Sequence, residues 1–405
     1  MKVLVVDDAP DIRILVRALL EKWGYETLEA SDGDEALELT KCSDIRIVIC
    51  DWVMPSMSGP EFCRAVRDTH LGRYVYITLL TGRSEKADLI EGLNAGADDF
   101  LNKPLDAQVL RARLCVAERI LGLEQRLEEQ QTQLQRAYDQ IQSDLAAAAL
   151  IQRQLLPSTD RILSPLRADW LYVPAAQLSG DSFNFFDLTP DLIGFYQLDI
   201  SGHGIPAALL SASLSRTLVP HGGPGVVGRG HFLEPAIFVE AVNRRLTGGE
   251  HELENFATLV YGILNRHTGD GEIAVAGHPP PVIQRLGGDI EFVTTGGMPV
   301  GMFSDASYES ELIHLDPGDR LVIYSDGLTD CRNPAGYTFG EERLKAAADA
   351  SPSSTPEPLS KTVSERLREW RGDGDPDDDI SMLVLTRPRV DDALGENRQI
   401  LGETR

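Results

Sequence analysis

The sequence predicts a multidomain chain: an N-terminal doubly wound α/β unit, a long coiled-coil-like helical linker, and a C-terminal α+β unit. Three observations predict it. Over residues 1–107, short apolar runs alternate with amphipathic stretches five times, the pattern of strands joined by crossover helices. Residues 108–156 contain no internal proline until Pro157 and repeat apolar residues every seven positions. Residues 166–386 group several β-type runs before and after helical stretches, which argues for α+β over a second doubly wound sheet. A chain of 405 residues fits two or three domains at roughly 150 residues each.

In the first unit the predicted strands are residues 3–6, 25–30, 45–50, 74–80 and 99–102, with helices at 11–23, 34–41, 59–67 and 85–95. Two of the strands are almost unbroken apolar runs, as expected where helices cover both faces of a sheet. The linker carries Ile120, Leu127, Leu134, Ile141, Ala148 and Leu155 at heptad spacing. A second set, Val116, Leu123, Ala137 and Ile151, is broken by Gln130 and Asp144. Forty-nine helical residues reach roughly 74 Å, too far to pack on one small domain, so the stripe predicts a coiled-coil homodimer. A helical hairpin folded onto a neighbouring domain is the alternative. In the third region strands are predicted at 170–173, 192–200, 257–265, 272–276, 290–294, 321–324 and 381–386, and helices at 205–218, 235–245 and 359–370. The polar residues 387–405 are expected to form a flexible tail.

Composition narrows the function classes. Thirty-eight basic against 63 acidic residues give a formal charge of −25. No basic block reverses that excess locally, so neither nucleic acid nor an anionic membrane is an expected partner. The chain begins directly with a strand-like run, without a leader pattern, and holds no apolar stretch of the roughly 20 residues a spanning helix needs. Five cysteines without metal-ligand spacing suit a reducing cytoplasm. None is followed by arginine six positions later, and neither a P-loop nor a Gly-x-Ser-x-Gly elbow occurs.

Asp7 and Asp8 follow the first strand and Asp51 the third. In a doubly wound sheet the carboxyl ends of the strands form the ligand crevice, where three carboxylates need a hard cation such as octahedral Mg²⁺. Thr81 after the fourth strand and Lys103 after the fifth add a hydroxyl and an ammonium at the same rim. Nucleophilic carboxylate, metal, hydroxyl and lysine are the parts needed to accept a phosphoryl group. This set resembles the receiver domain of bacterial response regulators over residues 1–121. The resemblance implies that Asp51 is phosphorylated by a sensor histidine kinase and that Asp7 and Asp8 form the Mg²⁺ pocket with the Val53 carbonyl. It makes Thr81 the switch hydroxyl, Phe100 the reorienting aromatic, and Lys103 the lysine that precedes the proline. Gly82 replaces the small residue usual after the threonine.

Four acidic points stand out in the third region: Asp181, Asp199, Asp326 and the pair Asp378–Asp379. Three adjoin apolar strands, with no lysine or arginine among them, so two divalent ions are expected to offset their repulsion and to acidify a water for in-line attack on phosphorus. The ordered motifs are Ser179-Gly180-Asp181, Asp199-Ile200-Ser201-Gly202-His203-Gly204, residues 255–262, Ala276-Gly277-His278-Pro279-Pro280, residues 297–301, Tyr324-Ser325-Asp326-Gly327 and Asp378-Asp379-Ile380-Ser381. With Ile151-Gln152-Arg153-Gln154-Leu155-Leu156-Pro157 ahead of them, they resemble the bacterial metal-dependent (PPM/PP2C-like) serine/threonine phosphatases of the sporulation stage II and stress-regulator type.

That resemblance implies a β-sandwich flanked by helices over residues 157–386. Asp199 would bridge two Mn²⁺ or Mg²⁺ ions, with the Ile200 carbonyl, Asp326 and Asp378 completing one site and Asp181 on the other side. The implied reaction is dephosphorylation of a phosphorylated anti-sigma factor antagonist. Asn184 stands where many relatives have a second carboxylate, and His203 and His278 are expected to orient loops or phosphate, with general-acid roles as the alternative. A non-catalytic pseudophosphatase adaptor that binds a sigma-factor regulator is the rival function.

Overall fold

The computed structural model describes residues 1–69, 71–82, 86–158, 163–219, 234–248, 255–351, 358–372 and 374–389, apart from the side chains of 86–89. The chain divides into two compact units, Met1–Gln140 and Ile141–Arg405.

The first unit alternates strand and helix: β1 (Lys2–Val6), α1 (Pro10–Lys22), β2 (Glu26–Ala30), α2 (Gly33–Cys42), β3 (Ile47–Asp51), α3 (Gly59–Asp68), β4 (Tyr76–Thr81), α4 (Lys86–Asn94), β5 (Asp99–Asn102) and the start of α5 (Ala107–Arg153). All strand pairs are parallel, in the order β2-β1-β3-β4-β5. That order reverses between β1 and β3, which opens a crevice at their carboxyl ends. β3 and β4 are buried at every residue because helices cover both faces. One face packs Leu4, Val48, Phe62 and Ile77 together. The other packs Val5, Ile49, Leu20 and Leu80 against Leu110, Leu114, Ala117 and Leu121.

Those four buried residues lie at helical spacing on one stripe of α5, so its first turns complete the sheet's cover. Beyond them the same helix exposes Leu123, Leu127, Leu134, Tyr138 and Ile141. Its 47 residues span about 70 Å without a break at Gly122.

The second unit contains β6 (Arg167–Val173), β7 (Ser182–Asp187), β8 (Leu192–Ile200), α6 (Ile205–Leu218), α7 (Pro235–Thr247), β9 (Ala257–Asn265), β10 (Asp270–Ala276), β11 (Val282–Gln284), β12 (Ile290–Phe292), β13 (Ser310–His314), β14 (Arg320–Tyr324), α8 (Asp326–Asp330), α9 (Gly340–Ala350), α10 (Leu359–Arg371) and β15 (Ile380–Thr386). The strands form two antiparallel sheets, β13-β10-β9-β8-β7 and β12-β11-β14-β15-β6. Phe183, Phe185, Phe195 and Val260 of one sheet interlock with Leu321, Ile323, Leu383 and Leu385 of the other. The outer faces are covered by α6 and α7 on one side and by α9 and α10 on the other. The result is a helix–sheet–sheet–helix sandwich.

The expected tail needs a correction at its start. Arg387 donates to the Leu315 and His267 carbonyls, and its backbone N–H donates to Asp319, so the chain is tied down one residue past β15. Residues 390–405 lie outside the described residues.

Candidate functional site

The carboxyl ends of β1, β3, β4 and β5 bring Asp7, Asp51, Thr81 and Lys103 to one rim. Asp7, Asp8 and Asp51 each offer a carboxylate oxygen, and these oxygens all lie within 4.8 Å of one another. Among the described residues no other group of three or more such side chains is so close. The Lys103 ammonium sits between two of them, 2.9 Å from Asp7 Oδ2 and 2.7 Å from Asp51 Oδ1. Burial raises the Asp51 carboxyl above its ordinary value, and Lys103 partly offsets this. Burial opposes the charge on Lys103, but its bonds to Asp51 and Asp7 outweigh that and raise it. Thr81 is fully buried as the last residue of β4, Phe100 is half-buried in β5, and Val53 is exposed on the loop after β3. The chemistry of this donor set suits a hard cation with oxygen ligands.

In the sandwich, the expected carboxylates meet around Asp199, near the end of β8. Burial first, then the charges of Asp326 and Asp378, push its carboxyl up to about 7, while the neighbouring Asp181 carboxyl works the other way. Asp181 is 1% exposed at the start of β7. Burial and then Asp199 raise it well above the usual range, and its Oδ2 accepts from Ser381 Oγ at 2.6 Å. Its Oδ1 is buried without a hydrogen-bond partner. Asp326 and Asp378 open onto the cleft. Partial burial, then Asp378 and Asp330, raise Asp326. No two of these ends are linked by a lysine or arginine, and none of either type lines the roughly 530 Å³ cleft formed by Asp199, His203, Thr258, Asp326 and Asp378.

The acidic pair divides its work. Both line the cleft, but Asp378 is exposed there, whereas Asp379 is buried and accepts from the backbone N–H groups of Ala175 (2.8 Å) and Gly180 (2.7 Å). Gly327 allows this close packing, since a Cβ there would lie 2.1 Å from the Asp379 carbonyl oxygen. Beneath the carboxylates lies a buried polar layer that sequence reasoning did not foresee. Gln197 donates to Ser381 Oγ at 2.9 Å, and the Ser381 N–H donates to Ser325 Oγ at 2.9 Å.

Asn184 has a different task from a metal ligand. Its Nδ2 donates to the Leu155 carbonyl at 2.8 Å, and its Oδ1 accepts from the Phe185 N–H. His203 is exposed at the cleft, while His278 is buried and held neutral, burial pushing its pKa down to about 3. A neutral ring has no imidazolium proton to give near neutrality.

Fold and sites together define a class: a response-regulator receiver joined by a long helix to a PP2C-type phosphatase fold. The chain belongs to the response regulator family, and it also carries a stage II sporulation protein E domain. Residues 3–115 match the response regulator receiver domain, and residues 189–388 match Stage II sporulation protein E (SpoIIE). The receiver is similar to chemotaxis protein CheY1 of Helicobacter pylori, 38% identical over 124 residues that cover 30% of this chain and 98% of that protein. Protein IcfG of Synechocystis sp. is 29% identical over 265 residues, 60% of this chain and 41% of the relative. The chain spans about half the length of several curated relatives that it matches. The SiaA-PP2C domain of Pseudomonas aeruginosa shares the fold of the second unit at a TM-score of 0.54 and 21% identity, covering 62% of this chain and 98% of that one. Among the described residues no helix is long and apolar enough to cross a membrane.

Proposed function

We propose that the chain is a protein serine/threonine phosphatase regulated by phosphorylation of its own receiver. The observation that carries this is an acidic cleft without a counter-charge. Asp51 and Asp7 share Lys103, but Asp181, Asp199, Asp326 and Asp378 have no cation among the residues lining their cleft. Carboxylates that raise one another in this way, Asp181 buried and Asp199 half-buried, repel unless something positive joins them, and the unpartnered Asp181 Oδ1 is an oxygen suited to it.

Two Mn²⁺ or Mg²⁺ ions fit that donor set. Asp199, the Ile200 carbonyl, Asp326, Asp378 and Asp181 would hold them. Bound there, the dications would neutralise the carboxylates, polarise a phosphoryl oxygen and acidify an attacking water. The chain's own groups prepare the site. Ser381 fixes the orientation of Asp181 through the 2.6 Å bond, and Asp379 holds the 175–180 loop by its two backbone contacts. The likeness to stage II sporulation protein E favours phosphoserine or phosphothreonine on a small anti-sigma factor antagonist as the substrate.

At the receiver, Asp51 is the proposed phosphoacceptor of a sensor histidine kinase. Asp7, Asp8 and the Val53 carbonyl would hold Mg²⁺ there, and Thr81, Phe100 and Lys103 would sense the phosphoryl group. The exposed stripe Leu123, Leu127, Leu134 and Ile141 supports a homodimeric coiled coil that carries the signal along α5.

Mn²⁺-dependent hydrolysis of para-nitrophenyl phosphate, abolished by Asp199→Ala, tests the enzyme. Phosphorylated antagonist proteins, assayed with and without beryllofluoride on the receiver, test the substrate and the regulation. Absence of turnover on every phosphorylated protein would favour a non-catalytic adaptor.

A further inference from the structure

β8 and β9 run antiparallel with Asp199 directly opposite Thr258, so their side chains share one face of the sheet. Thr258 is half-buried and lines the cleft beside Asp199. On its far side the Thr258 hydroxyl lies 2.7 Å from His278 Nδ1. His278 reaches it because β10 pairs with β9 up to Ala276 opposite Leu259, and Gly277 then turns inward at φ +67°. A Cβ at that glycine would lie 2.5 Å from Pro299, so this turn needs a glycine.

The ring is 6% exposed, its Nε2 has no hydrogen-bond partner, and the Tyr324 backbone bears on the ring. A neutral imidazole has one N–H, on Nδ1 or on Nε2. With that proton on Nε2, Nδ1 accepts from the Thr258 O–H. That leaves the Thr258 oxygen with only lone pairs to present to the cleft.

We propose, resting on the phosphatase reading, that His278 is a positioning residue: it fixes the Thr258 hydroxyl as a hydrogen-bond acceptor for the attacking water beside Asp199. Held this way, Thr258 orients the water through one of its protons and leaves an oxygen lone pair toward phosphorus. His278 itself touches neither water nor substrate.

The test uses the full-length protein with Mn²⁺ and para-nitrophenyl phosphate. His278→Gln and Thr258→Val should each lower kcat on the order of 10–100-fold, as outer partners of metal sites do. KM and the calorimetric Mn²⁺ affinity should stay within about twofold, because neither side chain is a ligand. His278→Asn, whose carboxamide oxygen takes the Nδ1 position, should recover most of the loss, and the double variant Thr258→Val with His278→Gln should be no worse than either single one. A His278→Gln kcat within about twofold of the parent, or losses that multiply in the double variant, overturns the proposal. Nitrogen NMR of the ring reads the same pair without turnover. An Nε2–H tautomer whose Nδ1 resonance alone moves in Thr258→Val is expected, and a ring protonated at Nδ1 overturns the assignment. A parent chain with no Mn²⁺-dependent turnover would instead overturn the phosphatase reading, a result distinct from an active parent that is indifferent to His278.

Discussion

Gln152, in the last turn of α5, holds the backbone of Ser179 by two reciprocal hydrogen bonds, its Nε2 donating to the carbonyl at 2.6 Å and its Oε1 accepting the N–H at 3.1 Å. The Ser179 hydroxyl in turn accepts from the Asp181 N–H at 3.0 Å, so the end of the long helix is two residues from a proposed metal ligand. Asn184 adds a second tie, to Leu155. A change in the register of the helix would therefore reach Asp181 directly.

Gln152→Ala should weaken the Mn²⁺ affinity of the full-length protein by about tenfold, since each lost hydrogen bond is worth about 0.5–1.5 kcal/mol. Calorimetric titration checks it. An unchanged affinity would mean that Ser179 is held well enough by other partners and that the helix end has no grip on the site.

Lys103→Ala should destabilise the Mg²⁺-free receiver by about 1–3 kcal/mol, because it strands Asp7 and Asp51 without their shared cation. Added Mg²⁺ should recover most of that loss by taking over the same charge. Chemical denaturation with and without Mg²⁺ reads both, and a variant indifferent to Mg²⁺ would remove the metal from the receiver.

Leu127→Asp with Leu134→Asp should convert a dimer to a monomer in light scattering. These side chains are 62% and 73% exposed, so the substitutions cost the folded chain little while placing charges in the proposed seam. A parent that is already monomeric would end the coiled-coil proposal.

The receiver was readable because Asp7, Asp51 and Thr81 end or follow buried, largely apolar strands, Lys103 follows the short β5, and strand ends in a parallel sheet share one edge. The second unit was readable only in part. Asp199 and Asp326 border clear strands, but nothing local distinguishes Asp378 from Asp379 in an acidic run. Their difference lies in the N–H groups of Ala175 and Gly180, some 200 residues away in the chain. β13 and α9 escaped a periodicity reading as well. The burial pattern of β13 leaves Leu312 outward and exposed, and α9 is rich in alanine and charge. Asn184 was legible as an odd residue in a metal motif, yet its partner is a backbone carbonyl of the linker, which no spacing rule signals.

Asp199 also sets a pH dependence whose direction is opposite to that of a salt-bridged carboxylate. Its carboxyl is raised to about 7 in the fold by burial, then by Asp326 and Asp378, from an ordinary 3.8. Between those values the metal-free folded chain binds more protons than the unfolded chain, so stability falls as pH rises from about 4 to about 7. Above that range the cost is complete, on the order of a few kcal/mol. Mn²⁺ competes for the same oxygen lone pairs as protons, so its stabilising effect should grow over the same interval. Thermal melts of the full-length chain in chelator should show the second unit losing stability between about pH 4 and pH 7 relative to Asp199→Asn, which carries no titrating group there. The difference between the two chains isolates this carboxylate from the general repulsion of a net charge of −25. A parent that gains stability relative to Asp199→Asn over that range would mean that Asp199 is paired with a cation of the protein's own, and the case for dications in the cleft would fall with it.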